Sequence, residues 1–370
     1  MNYRAVATCL FGLEKVVEFE LKRLGIDVIS VSDGRVSFEG TKTDIARANI
    51  NCSTAERILI VLDEFDASDF DSLFDKTGEV VWGDIISEKD SFPVKGYSIN
   101  STLTSVPACQ RIIKKSIAER LKRDLGVRSL PENGRRKIAI RFSIVSDRVT
   151  LMVDTSGEGL HKRGYRPNIY GAPIKETLAA GISDFARIGQ NSTVTDPFCG
   201  TGTLIIESAL RANRIAPGLN RHFAAESYPF IGKGAFDFAR KEARENIVRN
   251  SKFTAVGTDI DPKAIEHARF NAKAAKVDEF VKFEVMDARK YIPSKDMIVV
   301  TNPPYGEKLM DPVSSGKLIG EFCENFFKYD FKGLYLISGQ PDFEDIAGKK
   351  AKRRRKLYNG MIVCQLYMYF

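Results

Sequence analysis

Strand-like and helical segments alternate through the second half of the chain. Five β-rich runs follow residue 174, and segments with helical periodicity separate several of them. The runs are STVTDPF, TAVGTDID, VKFEVMDA, MIVVTNPP and GLYLISG. This alternation is typical of a mostly parallel sheet covered by helices, because parallel neighbours need crossover connections. The sequence therefore predicts a doubly wound α/β domain over residues 174–370.

The last fifteen residues, KLYNGMIVCQLYMYF, contain two β-rich runs with a turn signal between them. Asn359 and Gly360 occupy the turn, and both residue types tolerate a positive φ. We therefore expect the sheet to end in an antiparallel hairpin.

The first half of the chain has a different pattern, in which strands and helices suggest α+β units. Strands are predicted near residues 3–9, 35–38 and 57–65, with helices near 13–24 and 44–50. A helix is expected around Trp82 and Ile85, and a basic helix runs from Ser105 to Gly126. The predicted division is a ferredoxin-like domain at 1–66, a second α+β region at 67–155, a linker at 156–173 and the α/β domain at 174–370.

Composition limits the classes of protein that this chain can represent. The net charge is +8, which is compatible with a polyanionic partner. No apolar run is long enough for a membrane span, no secretory signal is evident, and the three histidines and six cysteines lack metal-ligand spacing. We therefore expect a cytoplasmic protein without a metal or a membrane partner.

Basic residues cluster at several places along the chain. Clusters occur at 135–137, at 161–166 and at 349–356, and each is equally compatible with an ordinary solvated surface. The candidate contacts to a nucleic acid are Lys114, Lys115, Lys162, Arg163 and Arg166.

A glycine-containing turn, DPFCGTGT, follows the first strand of the α/β domain. Its glycines would let a ligand approach backbone amides at the start of a helix, although a tight structural turn is an equal alternative. Asp259, at the end of the next strand, can accept hydrogen bonds from ribose hydroxyls. Asp261 is better explained as a helix N-cap. Because Asp259 lies much further from the turn than the ~20 residues of a dinucleotide fingerprint, a plain NAD site fits poorly.

Two further strand ends carry polar motifs. Asp287 follows the third strand and could accept from an adenine amine, with a helix cap as the alternative. NPPY, residues 302–305, follows the fourth strand. Its prolines stiffen the turn, so Asn302 becomes a fixed acceptor for the protons of an amine, and Tyr305 can stack on a base. Such acceptors favour attack of an exocyclic amine on a methyl sulfonium.

With these motifs the sequence resembles the Rossmann-like methyltransferases, specifically the THUMP-domain guanine-N2 methyltransferases of 23S ribosomal RNA. The resemblance rests on DPFCGTGTLIIESA, TNPPYGEKL, LHKRGYR, APIKETLAA and LYNG, and it covers nearly the whole chain. It implies an RNA-binding THUMP region at 67–155 and S-adenosylmethionine as the methyl donor.

The resemblance also implies site residues. The expected contacts to S-adenosylmethionine are Asp196, Pro197, Phe198, Cys199, Gly200, Thr201, Gly202, Thr203, Asp259, Ile260, Asp287, Ala288 and Asn302. The expected catalytic residues are Asn302, Pro303, Pro304 and Tyr305. Longer family members carry a second methyltransferase half, whereas only one is recognised in this sequence. We therefore expect no second modification here.

The predicted function is methyl transfer to N2 of guanosine, in 23S rRNA or a ribosomal precursor. Rival interpretations are an adenine-N6 nucleic-acid methyltransferase, a protein glutamine methyltransferase and an inactive RNA-binding ribosome assembly factor. The basic N-terminal half argues against the first two, and intact Asp196, Asp259 and Asn302 argue against the third. The modified nucleotide and the oligomeric state are not predicted.

Overall fold

The computed structural model of the protein describes residues 2–167, 170–171, 173–305 and 311–370. These residues form two sheets of seven strands each. Helices cover the sheets, and three clusters of buried apolar side chains form the interior. The mixed α/β class predicted from the sequence is confirmed.

The first sheet is built from the N-terminal elements. In chain order they are β1 (Tyr3–Cys9), α1 (Glu14–Arg23), β2 (Asp27–Ser32), β3 (Arg35–Gly40), α2 (Lys42–Asn51), β4 (Ala55–Asp66), α3 (Phe70–Glu79), β5 (Val94–Ile99), α4 (Val106–Leu125), β6 (Ile140–Val145) and β7 (Arg148–Asp154). The strand order is β2-β3-β1-β4-β7-β6-β5. Because the long strand β4 pairs with both β1 and β7, the regions on either side of residue 66 share one sheet.

Most of the predicted N-terminal elements lie where the sequence places them. The basic helix α4 ends at Gly126, whose φ of 66° suits the left-handed helix-terminating position. The helix predicted around Trp82 and Ile85 is wrong, since only a short 3-10 turn covers Trp82–Asp84. Trp82 is fully buried and its indole N–H donates to the Thr77 carbonyl, so tertiary packing determines its place.

The second sheet contains the C-terminal elements. They are α5 (Glu176–Phe185), β8 (Thr193–Asp196), α6 (Thr203–Ala212), α7 (Lys233–Glu245), β9 (Thr254–Asp259), α8 (Pro262–Ala275), β10 (Val281–Val285), β11 (Met297–Thr301), α9 (Pro312–Phe326), β12 (Gly333–Ser338), α10 (Phe343–Ile346), β13 (Arg353–Asn359) and β14 (Ile362–Tyr369). The order is β10-β9-β8-β11-β12-β14-β13. Strands β8 to β12 are parallel, whereas β14 is antiparallel to both β12 and β13, which confirms the predicted hairpin.

Residues of the predicted linker are buried among side chains from both halves of the chain. Leu160, Arg163 and Tyr165 are buried, so residues 160–165 contribute to the interior. Helix α7 packs on α2, and the Arg47 guanidinium pairs with the Glu242 carboxylate at 2.7 Å. The N-terminal core therefore includes side chains from the segment between α6 and β9.

A second connection joins the β1–α1 loop to the edge strand β13. Gly12 has a φ of 92°, and a Cβ there would lie 2.6 Å from the Lys356 carbonyl oxygen. The Arg355 guanidinium donates to the Gly12 carbonyl at 2.7 Å. Glycine is required because the two backbones approach closely at a positive φ.

Candidate active site

The predicted site residues meet at one edge of the second sheet. The strands β10, β9, β8 and β11 are consecutive neighbours and parallel, so their carboxyl ends lie side by side. Asp196 ends β8, Asp259 ends β9, and Asn302 directly follows β11. Asp287 follows β10 by two residues. Ligands of open α/β sheets bind at this edge.

Asp196 is a buried carboxyl group that ties two strand ends together. One of its oxygens accepts from the Phe198 amide at 3.0 Å and from the Thr301 hydroxyl at 2.6 Å. Burial, with a smaller contribution from the nearby Asp259 charge, raises the pKa of Asp196 to about 7. Thr301 carries no signal for this contact in the sequence, because the two residues are 105 positions apart and only strand adjacency brings them together.

The raised pKa of Asp196 predicts a pH-dependent stability. Between its ordinary pKa near 4 and its folded-state pKa of about 7, the folded protein holds a proton that the unfolded chain has lost. The stability from this group is therefore fully present below pH ~4 and is lost as the pH rises through about 7, at up to about 1.4 kcal/mol per pH unit.

We expect the Tm of the cofactor-free protein to fall more steeply between pH 5 and pH 8 than that of Asp196→Asn. Calorimetric melting of both proteins across this range measures the difference. Parallel Tm profiles for the two would contradict the assignment of Asp196 as the proton-binding group.

The two glycines of the DPFCGTGT turn have different roles. Gly200 has a φ of 51° with open space where a Cβ would stand, and its amide donates to Asp259 at 2.9 Å. Gly202 has a φ of 82°, and a Cβ there would lie 2.8 Å from the Phe283 ring. Gly200 thus leaves room on the ligand side of the turn, whereas Gly202 permits close packing of the helix start.

The carboxylate of Asp259 organises the turn from the neighbouring strand. Its second oxygen accepts from the Asp261 amide at 3.0 Å. Since a carboxylate offers about four acceptor positions, both oxygens retain capacity for the predicted ribose contacts. Asp261 caps α8 by accepting from the Lys263 amide at 2.9 Å, which confirms the N-cap interpretation.

Tyr170 is a residue of this edge that the sequence analysis did not single out. Its hydroxyl donates to Asp261 at 2.6 Å, which lowers the pKa of that carboxyl, and its ring stacks on His267. The aromatic ring stands beside the Asp259 strand end through this contact. A tyrosine in a Gly- and Pro-rich segment carries no local sequence signal for a contact with a residue 91 positions away.

Asp287 is already occupied by an intramolecular partner. It accepts from the Arg289 amide at 3.0 Å and forms an ion pair with the Arg289 guanidinium at 2.6 Å. The hydrogen bond from the Arg289 side chain lowers the pKa of Asp287. The cap alternative is therefore correct for its backbone contact, while the contact to an adenine amine stays a prediction.

The other predicted cofactor residues surround the turn in different environments. Four of them are buried: Pro197, Cys199, Thr203 and Ala288. Phe198 is half-buried with its ring on Phe322, and Ile260 is 66% exposed beside the strand ends. Ile260 is thus the most accessible apolar side chain of the predicted set.

Three buried polar atoms at this edge lack a hydrogen-bond partner within the described part of the chain. They are the hydroxyls of Thr201 and Thr258 and the side-chain oxygen of Asn302. Buried polar atoms are normally satisfied, so these three positions leave hydrogen-bonding capacity for a polar ligand. Together with the open space at Gly200 and the Asp259 carboxylate, they fit S-adenosylmethionine, whose ribose and amino acid groups need donors and acceptors.

The NPPY turn is held in place on several sides. Pro303 is buried, and the Pro304 carbonyl accepts from the Ser315 hydroxyl. The Asn359 amide donates to the Tyr305 hydroxyl at 2.6 Å. A Cβ at Gly339 would lie 3.1 Å from the Tyr305 ring, so glycine makes room for that ring. The remainder of the TNPPYGEKL motif, from residue 306, lies outside the described residues.

Two of the five predicted RNA contacts are corrected by the structure. Arg163 is 5% exposed and pairs with the buried Glu207 at 3.5 Å, so it cannot reach RNA. Arg166 is largely buried, pairs with Glu176 at 2.9 Å and donates to the Thr203 hydroxyl, which braces the start of α6. Lys114, Lys115 and Lys162 are exposed, and their contacts to RNA stay predictions.

The described residues show neither a metal-binding cluster nor a membrane-spanning helix. No group of three or more His, Cys, Asp or Glu side chains is arranged to hold a metal ion there. None of the helices in those ranges combines the length and apolar character that a membrane crossing needs.

The strand order, the glycine turn and the acidic residues at successive strand ends define a Rossmann-like methyltransferase that uses S-adenosylmethionine. Three family descriptions match the chain. Residues 163–368 match the RMKL-like methyltransferase domain, residues 4–59 the RlmL ferredoxin-like domain, and residues 67–154 the THUMP domain. The chain belongs to the RMKL-like methyltransferase family.

Curated relatives agree with this family. YpsC of Bacillus subtilis, named as a candidate RNA methyltransferase, is 38% identical over 372 residues, covering 100% of this chain and 96% of the relative. The ribosomal RNA large subunit methyltransferase K/L of Psychromonas ingrahamii is 33% identical over 370 residues, covering 97% of this chain and 49% of the relative. The chain therefore spans about half the length of the K/L relative.

Solved structures resemble the whole chain. SMU.472, a candidate methyltransferase crystallised with S-adenosylhomocysteine (SAH), has a TM-score of 0.91 at 35% identity and covers 100% of this chain and 98% of its own. A Listeria monocytogenes structure named as a predicted N6-adenine-specific DNA methylase has a TM-score of 0.92 at 39% identity, covering 100% and 96%. The complex with SAH supports the use of S-adenosylmethionine here.

Proposed function

We propose that this protein transfers a methyl group from S-adenosylmethionine to the N2 amine of a guanosine in 23S ribosomal RNA. The observation that carries the proposal is the Asn302 side-chain oxygen, which is buried at the substrate edge and has no partner among the described residues. An acceptor kept in this state suits a substrate that brings N–H donors, as an exocyclic amine does.

The amine of a base is a poor nucleophile because its lone pair is delocalised into the ring. The Asn302 oxygen and the carbonyl groups of the proline turn would accept the amine protons and favour rehybridisation of the nitrogen. The Ser315 hydroxyl already occupies one position on the Pro304 carbonyl and holds that oxygen in place. The residues of the NPPY turn thus position the amine without a covalent intermediate.

Tyr305 would orient the base. Its hydroxyl is held by Asn359, and the ring lies against Gly339, so the ring is restrained before a substrate arrives. Stacking of the target base on this ring requires the base to leave its own stack, as enzymes acting on bases commonly demand. When bound, S-adenosylmethionine supplies an electrophilic methyl group on a sulfonium sulfur.

The choice of RNA and of guanine N2 has separate support. The THUMP match over residues 67–154 and the exposed Lys114 and Lys115 favour RNA as the substrate. YpsC is named for RNA, and the K/L relative is named for large-subunit rRNA. The resemblance to the guanine-N2 methyltransferases of 23S rRNA favours N2 of guanine over other amines.

The test compares RNA from a strain lacking the gene with RNA from its parent. We expect one N2-methylguanosine to disappear from 23S rRNA, as measured by mass spectrometry of nuclease fragments, and to return when the gene is restored. Purified protein should then transfer label from S-adenosylmethionine to 23S rRNA of the deletion strain and not to that of the parent. Unchanged N2-methylguanosine at every 23S position would refute the substrate assignment.

An adenine-N6 methyltransferase is the second candidate, because the Listeria structure carries that name and the NPPY chemistry suits either amine. The same digests distinguish the two. Loss of N6-methyladenosine, from RNA or from DNA, would replace guanine by adenine as the target while leaving the role of Asn302 intact.

A further inference from the structure

The hairpin of β13 and β14 extends past the neighbouring strand toward the active site. Pairing between β12 and β14 ends at Ser338 and Gln365, whereas pairing between β13 and β14 continues to Asn359 and Ile362. Since β12 is parallel to β11, this extension lies at the carboxyl edge where Asn302 stands. The tip of the hairpin therefore projects on the substrate side of the sheet.

Four apolar or aromatic residues form a surface at this tip, which we call the tip patch: Phe11, Tyr358, Met361 and Val363. Phe11 is 53% exposed, Met361 97% and Val363 50%. Tyr358 and Val363 are cross-strand partners, and the Phe11 and Tyr358 rings lie 5.6 Å apart at 63°. Phe11 belongs to the N-terminal domain, and the close docking of Gly12 on Lys356 brings it here.

The hairpin that carries the tip patch contacts the turn proposed to hold the target base. Asn359 follows Tyr358 in β13, and its side-chain amide donates to the hydroxyl of Tyr305 in the NPPY turn at 2.6 Å. Both Tyr305 and Ile362 lie against Gly339, at 3.1 Å and 3.2 Å from the place of its Cβ. A chain of contacts therefore runs from the catalytic turn to the hairpin tip.

The edge strand behind the tip is strongly basic. β13 is the last strand of its sheet, and Arg353, Arg354 and Lys356 on it are exposed. Arg354 is partly offset by Glu344 at 3.3 Å, while the Lys356 ammonium lies 5.6 Å from the Tyr358 ring centre. Aromatic rings beside a row of cations are what single-stranded nucleic acids bind, with bases on the rings and phosphates on the cations.

We propose that the tip patch is a subsite for the nucleotides next to the methylated one, with β13 holding their phosphates. The inference rests on the proposed RNA methyltransferase function and deepens it, since it assigns an RNA contact to a surface outside the THUMP region. The basic strand beside the apolar tip favours RNA over a protein partner by charge complementarity. The RNA bound here is single-stranded, because only unpaired bases expose their faces for stacking.

The test measures methyl transfer by the full-length protein to protein-free 23S rRNA from the deletion strain. We expect Phe11→Ala combined with Tyr358→Ala to raise the KM for RNA about tenfold, with kcat changed less than ~2-fold. Tyr358→Phe keeps the ring and should retain the wild-type KM. Phe19→Ala is the matched control, because Phe19 is 60% exposed on α1 of the same domain and lies outside the patch. SAH affinity and Tm should match the wild type in all variants.

Each outcome decides the inference. If wild-type protein methylates the RNA and the double variant keeps the same KM, the tip patch is not an RNA subsite and the proposed function survives. If the KM rises only with intact ribosomal subunits, the patch binds a protein and the inference is overturned. If wild-type protein methylates neither RNA nor subunits, the proposed function fails, and the inference fails with it.

Discussion

Replacing Asn302 by alanine should lower kcat for methyl transfer by about 100-fold or more, while S-adenosylmethionine still binds. Fixed polar groups aimed at a developing charge are commonly worth 10²–10³ in rate. The Asn302 oxygen is buried and lacks a partner among the described residues, so its loss removes the side-chain acceptor proposed for the amine and leaves only the carbonyl groups of the turn. Single-turnover transfer to RNA of the deletion strain, with SAH binding measured by calorimetry, separates the chemical step from cofactor binding.

Matched variants make the result specific. Asn250 is an exposed asparagine that precedes β9, away from the carboxyl ends of the strands. Asn250→Ala should therefore behave like the wild type. Asn302→Asp tests the chemistry rather than the shape, because a carboxylate is still an acceptor but adds a charge beside Asp196. Normal transfer by Asn302→Ala would exclude the acceptor role and with it the proposed positioning of the amine.

Replacing Arg163 by alanine should destabilise the protein by about 3–5 kcal/mol, because it leaves a buried carboxylate without its partner. Glu207 is almost completely buried and otherwise accepts only the Tyr165 hydroxyl, at 3.0 Å, among the described side chains. Arg163 also donates to the carbonyl groups of Leu160 and Ser53. Its loss would therefore disturb contacts on both sides of the interface between the two halves.

Melting experiments measure this effect. We expect the Tm to fall by roughly 4–6 °C, whereas Lys162→Ala, at the exposed neighbouring position, should leave it unchanged. Burial raises the pKa of Glu207, so the Tm deficit of Arg163→Ala should shrink as the pH falls and the carboxyl becomes neutral. A double variant with Arg163→Met and Glu207→Leu should recover much of the loss. A Tm within 1 °C of wild type for Arg163→Ala would show that the pair contributes little.

Local sequence determined the elements that position the site. The glycine turn after β8, the N-cap at Asp261 and the Asn359–Gly360 hairpin are each encoded within a few residues, because turn and cap preferences are short-range properties. Apolar periodicity likewise located the parallel strands. The helix expected at Trp82 failed for the opposite reason, since a large buried ring is placed by the core around it.

Only the tertiary structure decided which polar residues meet and which are buried. Thr301 reaches Asp196, and Asn359 reaches Tyr305, through strand neighbours that are distant in the chain. Arg163 looked like an RNA contact in the sequence because its neighbours are basic, yet it faces Glu207 inside the protein. Charge and periodicity describe a residue's own segment, whereas burial and pairing depend on the segments that pack against it. The motifs therefore predicted the chemistry of this site, whereas the side chains that support its residues became visible only in the fold.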